Sequence, residues 1–182
     1  MKKTGLLLID IQNTYFNEGD YLLTEPEIAA KNAKKVLELW RREGHKVIHI
    51  QHNFPVSPGY EFLFDIHEDV APLEDELVIR KNYPSSFYET ELLDRLKELE
   101  INDLVVVGMQ SNMCVDTTVR ACKDLGINVI LLQDACAAKK LEFKDQMLPG
   151  DLVHKVFMAS MDGFFAKVMD TQEFIDEYGM EA

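Results

Sequence analysis

Three side chains that could act together in nucleophilic catalysis lie at or just after the ends of apolar runs in this sequence. Asp10 ends the run Gly5-Leu6-Leu7-Leu8-Ile9, Lys81 closes Leu77-Val78-Ile79-Arg80, and Cys114 follows Leu104-Val105-Val106-Val107 after a short polar turn. A thiol can act as a nucleophile, a carboxylate can take its proton, and an ammonium can hold both in their charged forms. We therefore interpret Asp10 as a general base, Lys81 as its partner and Cys114 as the nucleophile.

Each of these residues also has an ordinary structural explanation. An Asp at a strand end often belongs to a turn, a Lys is commonly solvated, and a free Cys is usually a small buried hydrophobe, as we interpret Cys122 and Cys136. Cys114 differs because it follows polar residues and because the apolar residues after it recur at helical spacing, which places Cys114 in the first turn of a predicted helix. The unpaired N–H groups and the helix dipole at such a position favour a thiolate, so we expect a lowered thiol pKa.

Strands and helices alternate along the whole chain. Strands are predicted over 5–9, 46–51, 76–80, 104–107, 128–132 and 167–169, and helices over 26–43, 88–99, 114–125, 150–163 and 171–178. This alternation indicates a parallel sheet with helices on both faces, in which ligands bind outside the carboxyl ends of the strands. The three candidate residues would therefore meet at one edge of the sheet.

Composition narrows the possible compartments and partners. The 182 residues suggest one domain over residues 1–182, and the net charge of -13 argues against a nucleic-acid partner. The apolar runs are too short to span a membrane, and we interpret the N-terminus as lacking a signal peptide. Three cysteines without a Cys-x-x-Cys pair indicate a reducing cytoplasm. A small-molecule substrate is the partner that we expect.

The histidines and aromatic residues suggest a binding pocket and no metal site. His49 and His52 would face opposite ways in a strand, and no zinc-type spacing is present. No glycine-rich phosphate motif follows a strand, so we predict no nucleotide cofactor. His67 and His154 are interpreted as structural or surface residues. The candidate substrate-binding residues come from the loops near the site and are Gln12, Phe16, His52, Phe54 and Phe87.

Three segments resemble the isochorismatase-like cysteine hydrolases, a family that includes nicotinamidases, N-carbamoylsarcosine amidases, streptothricin hydrolases and isochorismatases. The segments are Leu6-Leu7-Leu8-Ile9-Asp10-Ile11-Gln12; Val78-Ile79-Arg80-Lys81 with the later Ser86-Phe87 and Thr90-Glu91-Leu92; and Val107-Gly108-Met109-Gln110-Ser111-Asn112-Met113-Cys114-Val115, which is the most specific. With the alternation of elements, the resemblance implies a three-layer α/β/α fold. Its mostly parallel, Rossmann-like sheet would have five to six strands in the order 3-2-1-4-5-6. The resemblance also implies a homo-oligomer, either a dimer or a tetramer.

The resemblance further implies the roles of the site residues. Asp10 would be the base, Lys81 its partner and Cys114 the nucleophile, and the Met109–Gln110 peptide bond would be cis. The backbone N–H groups of Gln110 and Cys114 would form an oxyanion hole. Nicotinamidases bind a metal through an Asp-x-His motif after strand two and a further histidine, whereas the aligned residues here are His52-Asn53-Phe54. We therefore predict no metal, no cofactor and a substrate other than nicotinamide.

These observations predict a cysteine-dependent hydrolase that cleaves a small amide or carbamoyl C–N bond through a thioester at Cys114. Two alternatives remain open. The first is a thiol-independent, isochorismatase-type vinyl-ether hydrolase in which Asp10 is a general acid. The second is a non-enzymatic binding protein that keeps the fold. The residues do not identify the physiological substrate.

Overall fold

A computed structural model describes residues 3–16, 21–55 and 57–178 and contains one large sheet and one small hairpin. In chain order the strands are β1 (Lys3–Ile9), β2 (Lys46–His52), β3 (Leu77–Lys81), β4 (Ile101–Met109), β5 (Asn128–Ala137), β6 (Leu141–Phe143), β7 (Gln146–Leu148) and β8 (Lys167–Met169). The six-stranded sheet has the order β3-β2-β1-β4-β5-β8, and all its neighbouring strands are parallel. Strands β6 and β7 pair with each other in antiparallel fashion.

The predicted fold class and strand order are confirmed. Strand β8 occupies the edge position that the sequence assigned to a sixth strand. The small hairpin of β6 and β7 was not predicted, and it changes the numbering without changing the order of the large sheet. Its three-residue strands are too short for a period-two pattern to show in the sequence.

Helices cover both faces of the large sheet. They are α1 (Pro26–Arg42), α2 (Leu92–Glu98), α3 (Asp116–Asp124), α4 (Gly150–Met161) and α5 (Thr171–Tyr178). Successive strand residues point to opposite faces, so Leu6 and Leu8 pack with α1 and α5, whereas Leu7 and Ile9 pack with α2, α3 and α4. Burial on both faces explains the uninterrupted apolar runs of the strands. Within the described ranges, no helix combines the length and apolar character needed to cross a bilayer.

Two helices begin later than predicted. Helix α2 begins at Leu92 and not at residue 88, because Glu89 adopts a left-handed backbone with φ of 53° that an α-helix does not accommodate. The Thr90 hydroxyl donates a hydrogen bond to the Ser86 carbonyl within this irregular segment. Helix α3 begins at Asp116 and is preceded by a π-helical turn, Ser111–Val115.

Strands β1 and β4 approach each other closely at the edge where the candidate residues lie. Gly108 pairs with Ile9, and its φ of 148° lies in a region that favours glycine. A Cβ atom added to Gly108 would lie 2.2 Å from the Ile9 carbonyl oxygen. A side chain at this position would therefore push apart the two strand ends that carry Asp10 and the turn to Cys114.

Candidate active site

Lys81 and Asp10 form a buried ion pair across an intervening strand. Lys81 ends β3 and Asp10 follows β1, and β2 lies between these two strands. Because neighbouring strands lie about 4.8 Å apart, the lysine must reach across roughly 10 Å, which its long side chain can do. Its Nζ lies 2.6 Å from Oδ2 of Asp10, and neither side chain is exposed to solvent.

The Lys81 ammonium contacts three partners. Besides Asp10, Nζ donates to Sγ of Cys114 at 3.2 Å and lies 3.0 Å from Nδ1 of His52. Asp10 directly follows β1, Cys114 lies in the turn after β4, and His52 ends β2. The predicted trio of Asp10, Lys81 and Cys114 is thus brought together in space, with Lys81 at its centre.

The backbone and the surroundings of Asp10 are both unusual, and the surroundings change the pKa of its carboxyl. Its backbone has a φ of 51°, a left-handed conformation that is uncommon for residues other than glycine, and its N–H donates to the Ile50 carbonyl at 3.0 Å. Burial raises the pKa of the Asp10 carboxyl above its ordinary value, while the charge and hydrogen bond of Lys81 and a hydrogen bond with Cys114 oppose that rise. A carboxyl with a raised pKa is suited to both take and return a proton.

Cys114 lies in the π-helical turn before α3 and not in the first turn of an α-helix. The Met109–Gln110 peptide bond that precedes the turn is cis, as the resemblance implied. The Gln110 carbonyl accepts hydrogen bonds from the N–H groups of Met113 at 3.0 Å and Val115 at 3.2 Å, which closes the turn around Cys114. Gln110, which precedes the turn, and Cys114 within it are the predicted oxyanion-hole residues, and both are buried. Their function in holding an oxyanion stays a prediction.

The prediction of an acidic thiol is wrong. Burial and, to a smaller extent, the negative charge of Asp10 raise the pKa of Cys114 to about 12, although Lys81 opposes both effects. The benefit expected from a helix start is therefore smaller than the cost of ionising a desolvated thiol beside a carboxylate. Cys114 rests as a neutral thiol, and forming the thiolate requires that its proton be transferred to a nearby acceptor.

Asp10, His52 and Cys114 offer ligand atoms that lie within 4.8 Å of one another, which is close enough to consider a metal ion. Lys81 decides against it, because its ammonium lies 2.6 to 3.2 Å from an atom of each of the three residues. A metal ion bound there would overlap with this cation or be repelled by it. Asp10, His52 and Cys114 therefore surround the Lys81 ammonium, and the site does not fit a metal ion.

Comparison with known proteins places this site in a family. The model of the isochorismatase domain matches residues 4–173. An uncharacterized isochorismatase family protein of Bacillus subtilis, YddQ, is 43% identical over 94% of this chain and 98% of its own length. The chain belongs to the isochorismatase family. The crystal structure of an isochorismatase from Pseudomonas putida KT2440 has a TM-score of 0.88 and 35% identity, and the match covers 94% of this chain and 90% of that one.

Relatives within the isochorismatase family include hydrolases of C–N bonds. The ureidoacrylate amidohydrolase RutB of Acinetobacter baylyi is 25% identical over 97% of this chain and 84% of its own length. Membership of this family identifies the chain as an isochorismatase-family hydrolase. The finer assignment of bond and substrate depends on the residues around the Asp10–Lys81–Cys114 trio.

The five predicted substrate-binding residues of this isochorismatase-family chain differ in their position relative to the trio. His52 contacts Lys81 of the trio, and Phe54 lies next to His52, with ring centroids 4.7 Å apart. Gln12 has a different position: it is fully buried, donates to the His52 and Phe64 carbonyls, and accepts from the His52 N–H. These bonds tie the loop after β1 to the end of β2 and explain Gln12 without a substrate contact.

Phe16 and Phe87, the two remaining predicted residues, pack against different neighbours. Phe16 is buried and stacks on His67, with ring centroids 3.8 Å apart, so its observed partner is another side chain of the loop region. Phe87 is partly buried against the apolar cluster that includes Cys114. Substrate contact by either residue stays a prediction.

Tyr15 is a site residue that the sequence reasoning missed. It is buried, and its ring makes an edge contact with Phe54 at 5.7 Å. Burial raises the pKa of the Tyr15 hydroxyl well above its ordinary value, the charges of Asp10 and Cys114 add to this, and a hydrogen bond with Gln110 opposes it. Its one signal in the sequence is an aromatic hydroxyl five residues after the strand-end Asp10, which is too common to stand out.

Proposed function

We propose that the chain is a cysteine-dependent amidohydrolase that cleaves a small amide or carbamoyl C–N bond through a thioester at Cys114. One observation carries the proposal: the Lys81 Nζ lies 2.6 Å from Oδ2 of Asp10 and 3.2 Å from Sγ of Cys114 in a site closed to bulk solvent. The amidohydrolase activity in the name of the RutB relative supports the choice of a C–N bond.

Acylation begins with the neutral thiol. The Cys114 proton passes to Asp10 as the sulfur attacks the carbonyl carbon, so no free thiolate with a pKa near 12 has to accumulate. The N–H groups of Gln110 and Cys114 stabilise the oxyanion of the tetrahedral intermediate, a contact that contributes about 3–4 kcal/mol per donor in related chemistry. Protonated Asp10 then gives its proton to the leaving nitrogen, and the C–N bond breaks.

Deacylation uses the same groups in reverse. Asp10 takes a proton from water as the water oxygen attacks the thioester, and it returns the proton to the departing Cys114 sulfur. Lys81 stays charged in both half-reactions and balances whichever of Asp10 and Cys114 carries the negative charge. This distribution keeps one positive and one negative charge in the buried site, which avoids the cost of an unpaired buried ion.

The proposed partner is a small organic molecule that fits beside an aromatic wall. Phe54 contacts Tyr15, Tyr21 and His52 with ring centroids 4.7 to 5.7 Å apart. This aromatic cluster includes His52, whose Nδ1 lies 3.0 Å from the Lys81 Nζ, so it borders the trio. We also propose a homo-oligomer, as the resemblance implied. Light scattering tests it: a mass of two or four times 20.9 kDa is expected, and a mass of 20.9 kDa at micromolar concentration refutes it.

Trapping the acyl-enzyme tests the mechanism. An ammonia-release screen over small amides and carbamoyl compounds identifies a substrate, and acid quenching followed by peptide mass spectrometry locates the acyl group. We expect it on Cys114, and we expect Cys114→Ala to lose about 10³-fold or more of the activity. Cys122→Ala is the matched control, because Cys122 is an equally buried free thiol outside the site. A label on Cys122 or Cys136 alone would refute the proposal.

A vinyl-ether hydrolase with Asp10 as general acid is the second candidate. The observation in its favour is the burial that raises the pKa of Asp10, since a protonated carboxyl is what such an acid requires. Under this mechanism Cys114→Ala keeps its activity, and Asp10→Asn loses it. The third possibility is a binding protein without catalysis. It would release no ammonia from any compound in the screen and would form no acyl-enzyme.

A further inference from the structure

A chain of hydrogen-bonded side chains, separate from the trio, runs from the turn that carries Cys114 toward the edge strand β8. The Ser111 hydroxyl oxygen lies 2.8 Å from Nδ1 of His154, and Nε2 of His154 lies 3.2 Å from the side-chain oxygen of Gln133. The Gln133 side-chain nitrogen donates in turn to the Asp170 carboxylate. None of these residues belongs to the trio of Asp10, Lys81 and Cys114.

The donors and acceptors of this chain can be arranged in one direction only. A carboxylate accepts, so the Gln133 amide nitrogen donates to Asp170 and leaves the Gln133 oxygen as an acceptor. The proton between Gln133 and His154 must then lie on Nε2 of His154. Nδ1 of the neutral ring is consequently an acceptor, and the Ser111 hydroxyl donates to it.

Ser111 occupies a position from which this bond can influence catalysis. It is fully buried, it is the first residue of the π-helical turn, and it directly follows Gln110. Helix α4, which carries His154, packs against the same turn. The Ser111–His154 bond therefore ties the first residue of the turn to a separate element of the fold.

We propose that His154 is a positioning residue: by accepting the hydrogen bond of Ser111, it holds the turn so that the N–H groups of Gln110 and Cys114 converge on the oxyanion. The inference rests on the proposed cysteine-dependent mechanism. It assigns to His154 an effect on the transition state that is transmitted through Ser111, without contact between His154 and the substrate.

The surroundings of His154 keep its ring neutral. Burial and the charge of Lys155 lower the pKa of His154, and the charge of Asp134 opposes them. A protonated ring would have two donors and no acceptor, so it could not receive the Ser111 hydrogen bond. The charged groups that line the cavity beside the ring are Glu25, Asp134, Asp151 and Lys155.

Two substitutions separate hydrogen bonding from packing. In His154→Asn the side-chain oxygen can take the place of Nδ1 and accept from Ser111. In His154→Gln the amide nitrogen can take the place of Nε2 and donate to Gln133, but the amide oxygen then no longer occupies the position of Nδ1, where it would accept from Ser111. Ser111→Ala removes the donor and leaves α4 intact, so it should reproduce the effect of His154→Gln.

The acylation rate with p-nitrophenyl acetate is the main measurement, followed by p-nitrophenol release and by the mass of the Cys114 peptide. We expect His154→Gln and Ser111→Ala to lower the rate constant for acylation about 10- to 100-fold, with little change in KM, because the oxyanion donors are misplaced. His154→Asn should stay within about threefold of the original protein. Alkylation of Cys114 by iodoacetamide, which forms no oxyanion, should proceed at similar rates in all four proteins.

The outcomes distinguish this inference from the proposed function. Equal losses in His154→Asn and His154→Gln, or no loss in either, would overturn the positioning role. An equal fall in acylation and in alkylation would overturn it too, because the thiol and not the oxyanion would then be affected. If the unsubstituted protein forms no acyl group on Cys114, either with p-nitrophenyl acetate or with a compound that it hydrolyses in the ammonia-release screen, the proposed mechanism itself fails.

Discussion

The Lys81 ammonium lies 3.0 Å from Nδ1 of His52, and this contact determines which nitrogen of the imidazole ring carries the proton. An ammonium has only donors, so Nδ1 must accept and the ring proton must lie on Nε2. Burial lowers the pKa of His52 to about 4, and the charge of Lys81 contributes to the decrease. His52 is thus a neutral hydrogen-bond donor at the edge of the site.

This state of His52 can be observed directly. Two-dimensional ¹H–¹⁵N spectra of the ring at pH 7 should show the Nε2–H tautomer, and a pH titration should show a midpoint near 4. Because the unfolded chain binds the proton with a pKa of 6.5, it holds more protons than the folded chain between pH 4 and 6.5. The contribution of His52 therefore makes stability rise with pH in that window. A titration midpoint near 6.5 would contradict the Lys81 contact.

Removing one member of the buried ion pair should destabilise the fold more than removing both. Lys81→Met leaves Asp10 without a cation in a site closed to solvent, which we expect to cost about 3–5 kcal/mol of unfolding free energy. Asp10→Asn combined with Lys81→Met should recover most of that loss, and neither protein should have hydrolase activity. Urea denaturation measures both variants. Additive losses in the double variant would show that the two side chains do not interact.

Thiol reactivity and turnover should change in opposite directions in Asp10→Asn. The negative charge of Asp10 raises the pKa of Cys114, so its removal should increase iodoacetamide alkylation at pH 8 by several-fold while turnover is lost. Lys81→Met is the matched comparison, since loss of the ammonium that lowers this pKa should slow alkylation. Slower alkylation in Asp10→Asn would indicate that the carboxylate assists thiol ionisation even without a substrate.

The close approach of β1 and β4 depends on Gly108. Gly108→Ala places a Cβ atom 2.2 Å from the Ile9 carbonyl oxygen, so both stability and turnover should fall. Gly126→Ala is the control, because Gly126 also has a positive φ, of 75°, but has no atom within 4 Å of the added Cβ. It should cost about 1–2 kcal/mol from backbone strain alone and leave turnover unchanged. Equal effects of the two substitutions in thermal denaturation and activity assays would contradict the close approach.

Local patterns were enough to place the main elements of the fold and the candidate trio. Asp10, Lys81 and Cys114 each follow an apolar run, and parallel strands bring their carboxyl ends to one edge whatever the details of packing. The same locality explains the errors at element ends. The left-handed backbone of Glu89, which delays α2, has no signature in a helical pattern of leucines.

Long-range contacts decided the chemistry at this edge. The sequence alone indicated Cys114, but only the folded chain surrounds the thiol with apolar groups and Asp10, which reverses the expected direction of its pKa. The sequence also contained Ser111 and His154, 43 residues apart, without indicating that they would meet. Strand and helix patterns arise from neighbouring residues, whereas pKa values and hydrogen-bond partners depend on burial and distance, which tertiary packing alone determines.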